Sequence, residues 1–151
     1  MSIPKRSASS ASNSSYRLDD QIGFLLRKAH QRHRSIFSRS IGARIAPTQF
    51  AALASLYTEG PTSQNQLGRR TAMDSATITG VIDRLQQRGL VKSSASPDDD
   101  RLSIIDLTPE GRDLIEHLLP RGEEISADTL APLTPSERET LVRLLGKISE
   151  S

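Results

Sequence analysis

Residues 71–91 have the sequence TAMDSATITGVIDRLQQRGLV, which has the pattern of a short amphipathic helix with both ends marked. Asp74 lies where an N-cap is expected, and Gly89 is typical of the position just after a helix. Apolar residues recur at helical spacing on one face: Ile78, Val81, Ile82 and Leu85. The opposite face carries small polar residues and one arginine: Ser75, Thr77, Thr79, Gly80, Asp83 and Arg84. A purely structural helix would normally carry long Glu and Lys side chains there, so this face is suited to close approach to another molecule.

A short helix is predicted immediately before this segment. Ser63 followed by Gln66 resembles a capping box, in which side chains satisfy the first backbone N–H groups of a helix. A proline opens a further helix over about residues 47–58. Two short helices joined by a tight turn, the second with a hydroxyl-rich face, predict a helix-turn-helix.

Two short strands are predicted after the helix-turn-helix, over residues 90–94 and 102–107. The Ser, Pro and Asp residues between them are typical of a turn, so the strands should form a β-hairpin. A helix-turn-helix followed directly by a β-hairpin is a winged helix, and the tip of the hairpin is its wing.

Helical segments flank this unit. Residues 16–46 predict one long helix, residues 109–151 predict two more, and their apolar stripes exceed what one small core can bury. We therefore expect these helices to pack against a second copy of the chain. Residues 1–15 are Ser-rich and too polar to bury a core, so a disordered tail is expected. The predicted fold is mainly α with a small β-hairpin wing: a winged helix-turn-helix over residues 47–108, flanked by N-terminal (16–46) and C-terminal (109–151) dimerisation helices.

The composition narrows the class of protein. The chain has no cysteine, which excludes disulfides and thiolate metal sites. It has neither an apolar stretch long enough to cross a membrane nor the apolar core of a signal peptide, so a cytoplasmic location away from membranes is expected. Residues 1–46 carry nine Lys or Arg against two Asp, whereas residues 102–151 carry five Lys or Arg against ten Asp or Glu. This asymmetry favours an anionic partner, although a merely solvated basic face would have the same composition.

Three consecutive aspartates, Asp98, Asp99 and Asp100, precede Arg101 at the predicted wing tip. A calcium loop would need ligands at alternating positions, a glycine and a distal glutamate, and this segment lacks that arrangement. Because no nucleophile, histidine or glycine-rich motif lies nearby, an acid and base pair is not favoured either. We therefore expect no catalytic residue, no metal site, no cofactor and no enzyme activity. Asp99 is expected to accept hydrogen bonds from Arg101 and orient it, while Asp98 and Asp100 keep the tip soluble.

These motifs together resemble a known family. The MarR family of winged-helix transcriptional regulators is similar to this sequence over two segments, residues 62–91 and DDDRLSIIDLTPEGRDL at 98–114. The second segment resembles the wing signature of that family: an Asp, any residue, an Arg, a β-strand, Leu-Thr and a helix that opens with a glycine. The resemblance covers about residues 18–148. It implies a homodimer, joined by the first and last two helices, that places one recognition helix in each major groove of a pseudopalindromic operator in double-stranded DNA. It also implies that Arg101 enters the minor groove.

The residues expected to contact DNA lie on the helix-turn-helix and the wing: Ser63, Ser75, Thr77, Thr79, Arg84, Asp99 and Arg101. Gly80 departs from the family pattern, because many relatives carry a long polar side chain, often Arg, at this position. Base readout is therefore expected to depend more on hydroxyl groups, DNA shape and water.

The resemblance further implies a small anionic or phenolic effector that binds between the dimerisation helices and the winged helix and lowers DNA affinity. The basic segment 27–44 favours an aromatic acid or its coenzyme A thioester. The residues expected to contribute to the pocket are His33, Arg34, Phe37, Phe50 and Leu53. For His33, a hydrogen bond at a helix interface is the favoured alternative. The predicted function is a dimeric, ligand-released repressor. The alternatives are an activator or effector-independent regulator of the same fold, and a protein-interaction scaffold.

Overall fold

The computed structural model describes residues 15–150. Its helices are α1 (Ile22–Ser40), α2 (Pro47–Glu59), α3 (Gln64–Arg70), α4 (Ser75–Gln87), α5 (Pro109–Thr129) and α6 (Pro135–Ser149). Its strands are β1 (Thr62–Ser63), β2 (Val91–Ala95) and β3 (Ser103–Leu107). The predicted fold class, mainly α with a small β-sheet, is confirmed. The tail predicted to be disordered lies outside the described residues, except for Ser15.

The N-terminal helix is shorter than predicted. Short 3₁₀ turns at Leu18–Asp20 and Gly42–Arg44 flank α1. The backbone of Gln21 is extended, with φ −84° and ψ 135°, and this separates the first turn from α1. Gly42 has a φ of 66°, in the left-handed region, which ends the helix. The prediction of one continuous helix over residues 16–46 was therefore wrong at both ends.

The three strands form an antiparallel sheet in the order β1-β3-β2. Strands β2 and β3 form the predicted hairpin, with Val91 opposite Leu107. Strand β1 was not predicted, because Thr62 and Ser63 are too few to show an alternating pattern. They pair with the middle of β3, which joins the helix-turn-helix to the wing through the backbone.

The apolar faces of the helices and the sheet meet in one core. The face of α4 predicted to be apolar is buried. The large side chains that are fully buried come from α2, α3, α4 and α5: Leu53, Leu56, Leu67, Ile78, Leu85, Ile115, Leu118 and Ile125. Helix α6 contributes no buried residue. The winged helix-turn-helix and α5 therefore share this core, whereas α6 lies outside it.

Side-chain caps fix the start of four helices. In each, an oxygen of the N-cap side chain accepts the backbone N–H three residues later, at 2.7 to 3.3 Å: Ser63, Asp74, Thr108 and Thr134. The predicted caps are thus confirmed, and they set where the recognition helix α4 begins.

The junction between α4, the sheet and α5 is formed by backbone groups around Leu90. The Leu90 carbonyl accepts the N–H of Thr108 at 3.1 Å. The Thr108 hydroxyl donates to the Gly89 carbonyl at 2.6 Å and accepts the N–H of Gly111 at 3.0 Å. A Cβ on Gly111 would collide with the Leu90 carbonyl oxygen, so only glycine lets α5 approach this closely. We call these four residues the Leu90 junction.

We expect Gly111→Ala to lower the free energy of unfolding by about 1–3 kcal/mol, because the added Cβ forces α5 away from Leu90. Gly80→Ala is the matched control on a second helix. There the nearest atom to a new Cβ is the flexible end of Arg84, at 3.3 Å, so alanine should stabilise α4 by about 0.5–1 kcal/mol. Chemical denaturation without DNA measures both. Equal stability of the Gly111→Ala and wild-type proteins would contradict the close approach.

Candidate functional site

The recognition helix α4 presents the predicted polar face to solvent. Ser75, Thr77, Thr79 and Arg84 are all exposed, while the opposite face is buried. The small side chains leave the α4 backbone accessible along this face. Four of the residues predicted to contact DNA therefore share one surface.

Gln64, which was not among the predicted site residues, contacts this face. Its side-chain Nε2 donates to the Thr79 hydroxyl at 2.8 Å, and that hydroxyl donates to the Ser75 carbonyl at 2.8 Å. The hydroxyl proton of Thr79 is thus already used, and the remaining polar capacity of Thr79 is that of an acceptor. The only sequence signal for Gln64 is its place at the start of α3.

Ser63 has a structural role in the protein. Its hydroxyl caps α3 by accepting the Gln66 N–H at 3.3 Å, and its backbone belongs to β1. The side chain is half-buried, unlike those on the α4 face. Its contact with DNA stays a prediction.

Asp99 and Arg101 form the predicted intramolecular pair at the wing tip. Arg101 Nε donates to Asp99 Oδ1 at 3.1 Å and Nη2 donates to Oδ2 at 3.2 Å, while the Arg101 backbone N–H donates to Oδ1 at 3.0 Å. The Arg101 side chain is nevertheless 89% exposed. The side-chain hydrogen bonds from Arg101, followed by its backbone N–H, lower the pKa of the Asp99 carboxyl. The wing therefore presents an oriented guanidinium to solvent.

Two cavities lie beside an aromatic pair. The rings of Phe37 and Phe50 meet edge to face, with centroids 5.8 Å apart. The first cavity, here called the α1–α2 cavity, has a volume of about 320 Å³ and is lined by Arg34, Phe37, Ser38, Gly42, Ala43, Ile45, Ala46 and Pro47. The second, the α2–α5 cavity, has a volume of about 470 Å³ and is lined by Phe50, Leu119, Gly122, Glu123 and Ser126.

The residues predicted to bind an effector are distributed over several places. Arg34 and Phe37 line the α1–α2 cavity, and Phe50 lines the α2–α5 cavity. Leu53 is 0% exposed and lines neither, because its side chain is part of the core. His33 Nδ1 lies 2.8 Å from the Thr129 hydroxyl, which agrees with the favoured alternative of a hydrogen bond between helices. One pocket containing all five residues is not what the structure forms.

Two further features of the described residues concern metal sites and membrane spans. Within residues 15–150 there is no cluster of three or more His, Asp or Glu placed to hold a metal ion. Over the same residues, no helix is long and apolar enough to span a bilayer.

Together, the helix-turn-helix, the exposed hydroxyl face of α4 and the wing with an arginine at its tip define a winged-helix DNA-binding protein. Comparison with known proteins then identifies the family. Residues 45–103, which contain the helix-turn-helix and most of the wing, match the profile of the MarR family. The HTH-type transcriptional repressor NicR of Pseudomonas putida is 39% identical over 140 residues, which cover 92% of this chain and 89% of NicR. The chain therefore belongs to the MarR family and is a transcriptional regulator.

Solved structures share the same architecture. A probable transcriptional regulator from Pseudomonas aeruginosa is 52% identical, with a TM-score of 0.83, and the match covers 87% of this chain and 99% of that one. BpsR of Bordetella bronchiseptica, whose DNA binding is regulated by 6-hydroxynicotinic acid, is 40% identical with a TM-score of 0.87, covering 90% of this chain and 98% of BpsR.

The pair at the wing tip gives a pH-dependent prediction. In Arg101→Ala, the pKa of Asp99 should rise, because its hydrogen bonds from the guanidinium are lost. In the wild type the pKa of Asp99 is lower in the folded state than in the unfolded state. The ionised pair therefore contributes stability at pH values above the unfolded-state pKa, and this stability is lost as the pH falls through the folded-state pKa. NMR titration of the side-chain carboxyl carbons measures the shift. Asp74, whose pKa is lowered by the Thr77 backbone N–H, is the internal control and should not change. An unchanged pKa at Asp99 would show that the pair does not form in solution.

Proposed function

We propose that the protein is a homodimeric repressor that binds a pseudopalindromic operator and is released from it by a small aromatic acid. The observation that carries the proposal is the exposed hydroxyl face of α4 beside the Arg101 wing. The repressor NicR and the acid-regulated BpsR, both similar over most of the chain, support it. A cytoplasmic location stays a prediction from the sequence.

The proposed dimer interface consists of the apolar side chains that α1 and α6 leave exposed. Ile22 is 64% exposed, Val142 61% and Ile148 56%. Leu25, Leu26, Leu144 and Leu145 extend the same two stripes. Exposed apolar stripes of this kind suit an interaction site, and a second copy of the chain carries the same stripes. The proposed dimer would place two recognition helices on one face, about one turn of DNA apart.

We assign the reading of bases to the α4 face. The Thr79 hydroxyl, with its proton used internally, presents an acceptor and a methyl group, which suit an amino group of cytosine or adenine or the thymine methyl. Gln64, held against Thr79, adds an amide that can pair with adenine. Ser75, Thr77 and Arg84 supply further base or phosphate contacts, and Arg101 supplies the minor-groove contact.

Arg101→Ala should weaken operator binding by on the order of tenfold at fixed salt, because the minor-groove guanidinium is lost. The operator is first obtained by selection from random DNA, and affinity is measured by fluorescence anisotropy, with sedimentation checking for two chains per bound duplex. Arg39→Ala, an exposed position on α1, removes the same charge away from the wing and should leave affinity within about twofold.

Asp99→Ala should also alter the affinity, because Arg101 loses its orienting partner. Unchanged binding in both wing variants would exclude a role for the wing. If the affinity for DNA hardly changed with salt concentration, a protein-interaction scaffold would be favoured over a DNA-binding protein.

We place the effector in the α1–α2 cavity. Arg34 offers a guanidinium for a carboxylate, and Phe37 offers an aromatic wall for a ring. A volume of about 320 Å³ accommodates a monocyclic acid, whereas a coenzyme A thioester would leave most of its length outside. The free acid is therefore favoured over the thioester. Bound acid would stabilise a dimer geometry in which the recognition helices no longer match successive grooves.

With saturating 6-hydroxynicotinic acid, the operator Kd of the wild type should rise by on the order of tenfold, a typical allosteric coupling. Arg34→Ala should raise the concentration of acid needed for release, because the cation that pairs with the carboxylate is lost. Ser126→Leu, which fills the α2–α5 cavity, is the matched control and should leave release unchanged. If Ser126→Leu impaired release and Arg34→Ala did not, the effector would instead bind in the α2–α5 cavity. A reporter gene placed downstream of the operator tests repression, since a fall in expression on loss of the protein would make it an activator.

A further inference from the structure

Arg88, at the C-terminal end of the recognition helix α4, contacts a segment far away in sequence. Its Nη2 donates to the Arg44 carbonyl at 2.7 Å, and its Nη1 donates to Gln49 Oε1 at 3.1 Å. The planar guanidinium directs both hydrogen bonds at once, which fixes the orientation of the two partners more strictly than a single contact would. Arg88 therefore joins α4 to the connection between α1 and α2.

The acceptors of Arg88 are adjacent in sequence to residues that line the two cavities. Arg44 ends the 3₁₀ turn that precedes α2, and its neighbours Ala43 and Ile45 line the α1–α2 cavity. Gln49 lies in the first turn of α2, directly before Phe50, which lines the α2–α5 cavity. A molecule that enters either cavity and displaces its wall would therefore act on residues bonded directly to an acceptor residue of Arg88.

The exposure of Arg88 makes this contact reversible. Its side chain is accessible to water, and exposed hydrogen bonds exchange with water at small net cost. The other connection of this end of α4, through the Leu90 junction, consists of a backbone hydrogen bond, two hydrogen bonds of the Thr108 hydroxyl and a close packing contact. The Arg88 contacts are made by one exposed side chain, so they can change at lower cost than the close packing of Gly111 against Leu90.

We propose that Arg88 is the positioning residue through which effector binding reorients the recognition helix. The proposal rests on the proposed function, since it assigns a route to the release of DNA by an aromatic acid. Without effector, the two hydrogen bonds hold the end of α4 against the α1–α2 connection in the orientation that fits DNA. With effector bound, residues 42–47 shift. The two hydrogen bonds of Arg88 then either break or pull the end of α4 along with these residues. Arg88 contacts neither the effector nor DNA in this scheme.

The test measures the coupling between the two ligands and not either affinity alone. For each variant, the operator Kd is determined with and without saturating 6-hydroxynicotinic acid, and the ratio of the two values is the coupling factor. Arg88→Ala should reduce this factor at least fivefold, to near one. Arg88→Lys, which keeps the charge but loses the fork, should restore it only partly. Gln49→Ala removes one acceptor of Arg88 and should give an intermediate coupling factor. This variant still tests the proposal if Arg88→Ala is poorly folded.

Arg70 provides the matched control. Its Nη1 donates to the Gly60 carbonyl at 2.8 Å, so Arg70→Ala removes a guanidinium contact to a backbone carbonyl at the other end of α2. Its coupling factor should equal that of the wild type, whatever its effect on operator affinity. Isothermal titration of the acid into each variant without DNA checks that the effector still binds.

The outcomes separate the two proposals. If the wild type is not released by the acid, the proposed function fails and the role of Arg88 fails with it. If the wild type is released and the Arg88→Ala and Gln49→Ala variants keep the wild-type coupling factor, Arg88 is only structural and the proposed function is unaffected. A reduced factor in both variants, with acid binding retained and Arg70→Ala unchanged, supports the assignment.

Discussion

The carbonyl group of Leu90 holds three parts of the molecule together. It accepts the N–H of Thr108 and lies against the bare Cα of Gly111, so the end of the recognition helix, the start of the wing and the start of α5 meet at one backbone position. Close-packed backbone contacts of this kind are not continuously deformable, because small displacements either collide or break a buried hydrogen bond. The direction of α5 relative to α4 is therefore nearly fixed.

This rigidity determines where the protein can change shape. A signal from the helices proposed to form the dimer interface, if it passed through the Leu90 junction, would have to move α4, the wing and α5 as one body. The same end of α4 has a second attachment, in which the exposed side chain of Arg88 contacts the connection between α1 and α2. That connection contains a 3₁₀ turn and a left-handed glycine, Gly42, instead of continuous helix. In the proposed scheme, the recognition helix α4 changes orientation at the Arg88 contacts while the Leu90 junction stays fixed.

The sequence predicted those features that depend on local interactions. The caps at Ser63, Asp74 and Thr108 were predictable because an N-cap acts on an N–H only three residues away. The pair of Asp99 with Arg101 was predictable for the same reason. Contacts between distant segments were not, since nothing in the neighbourhood of Gln64 indicates that it reaches Thr79, or near Arg88 that it reaches Arg44.

Burial was also hard to assign from residue type. Leu53 was expected in a ligand pocket, but a leucine on the inner face of α2 fits a pocket wall and a closed core equally well, and the packing around it makes it core. The two-residue strand β1 has too few residues for a periodic pattern. The N-terminal helix is interrupted at Gln21 and Gly42, where the backbone is not helical. A glutamine gives no sequence signal for such an interruption.

The pair at the wing tip has a consequence for how the protein meets polyanions in general. The Arg101 guanidinium is hydrogen-bonded to a carboxylate of its own chain, so the pair together carries little net charge. A polyanion that binds this arginine must compete with Asp99, which is tethered two residues away and stays at high local concentration. Adhesion to arbitrary polyanions at this tip is therefore weaker than the presence of an exposed arginine suggests.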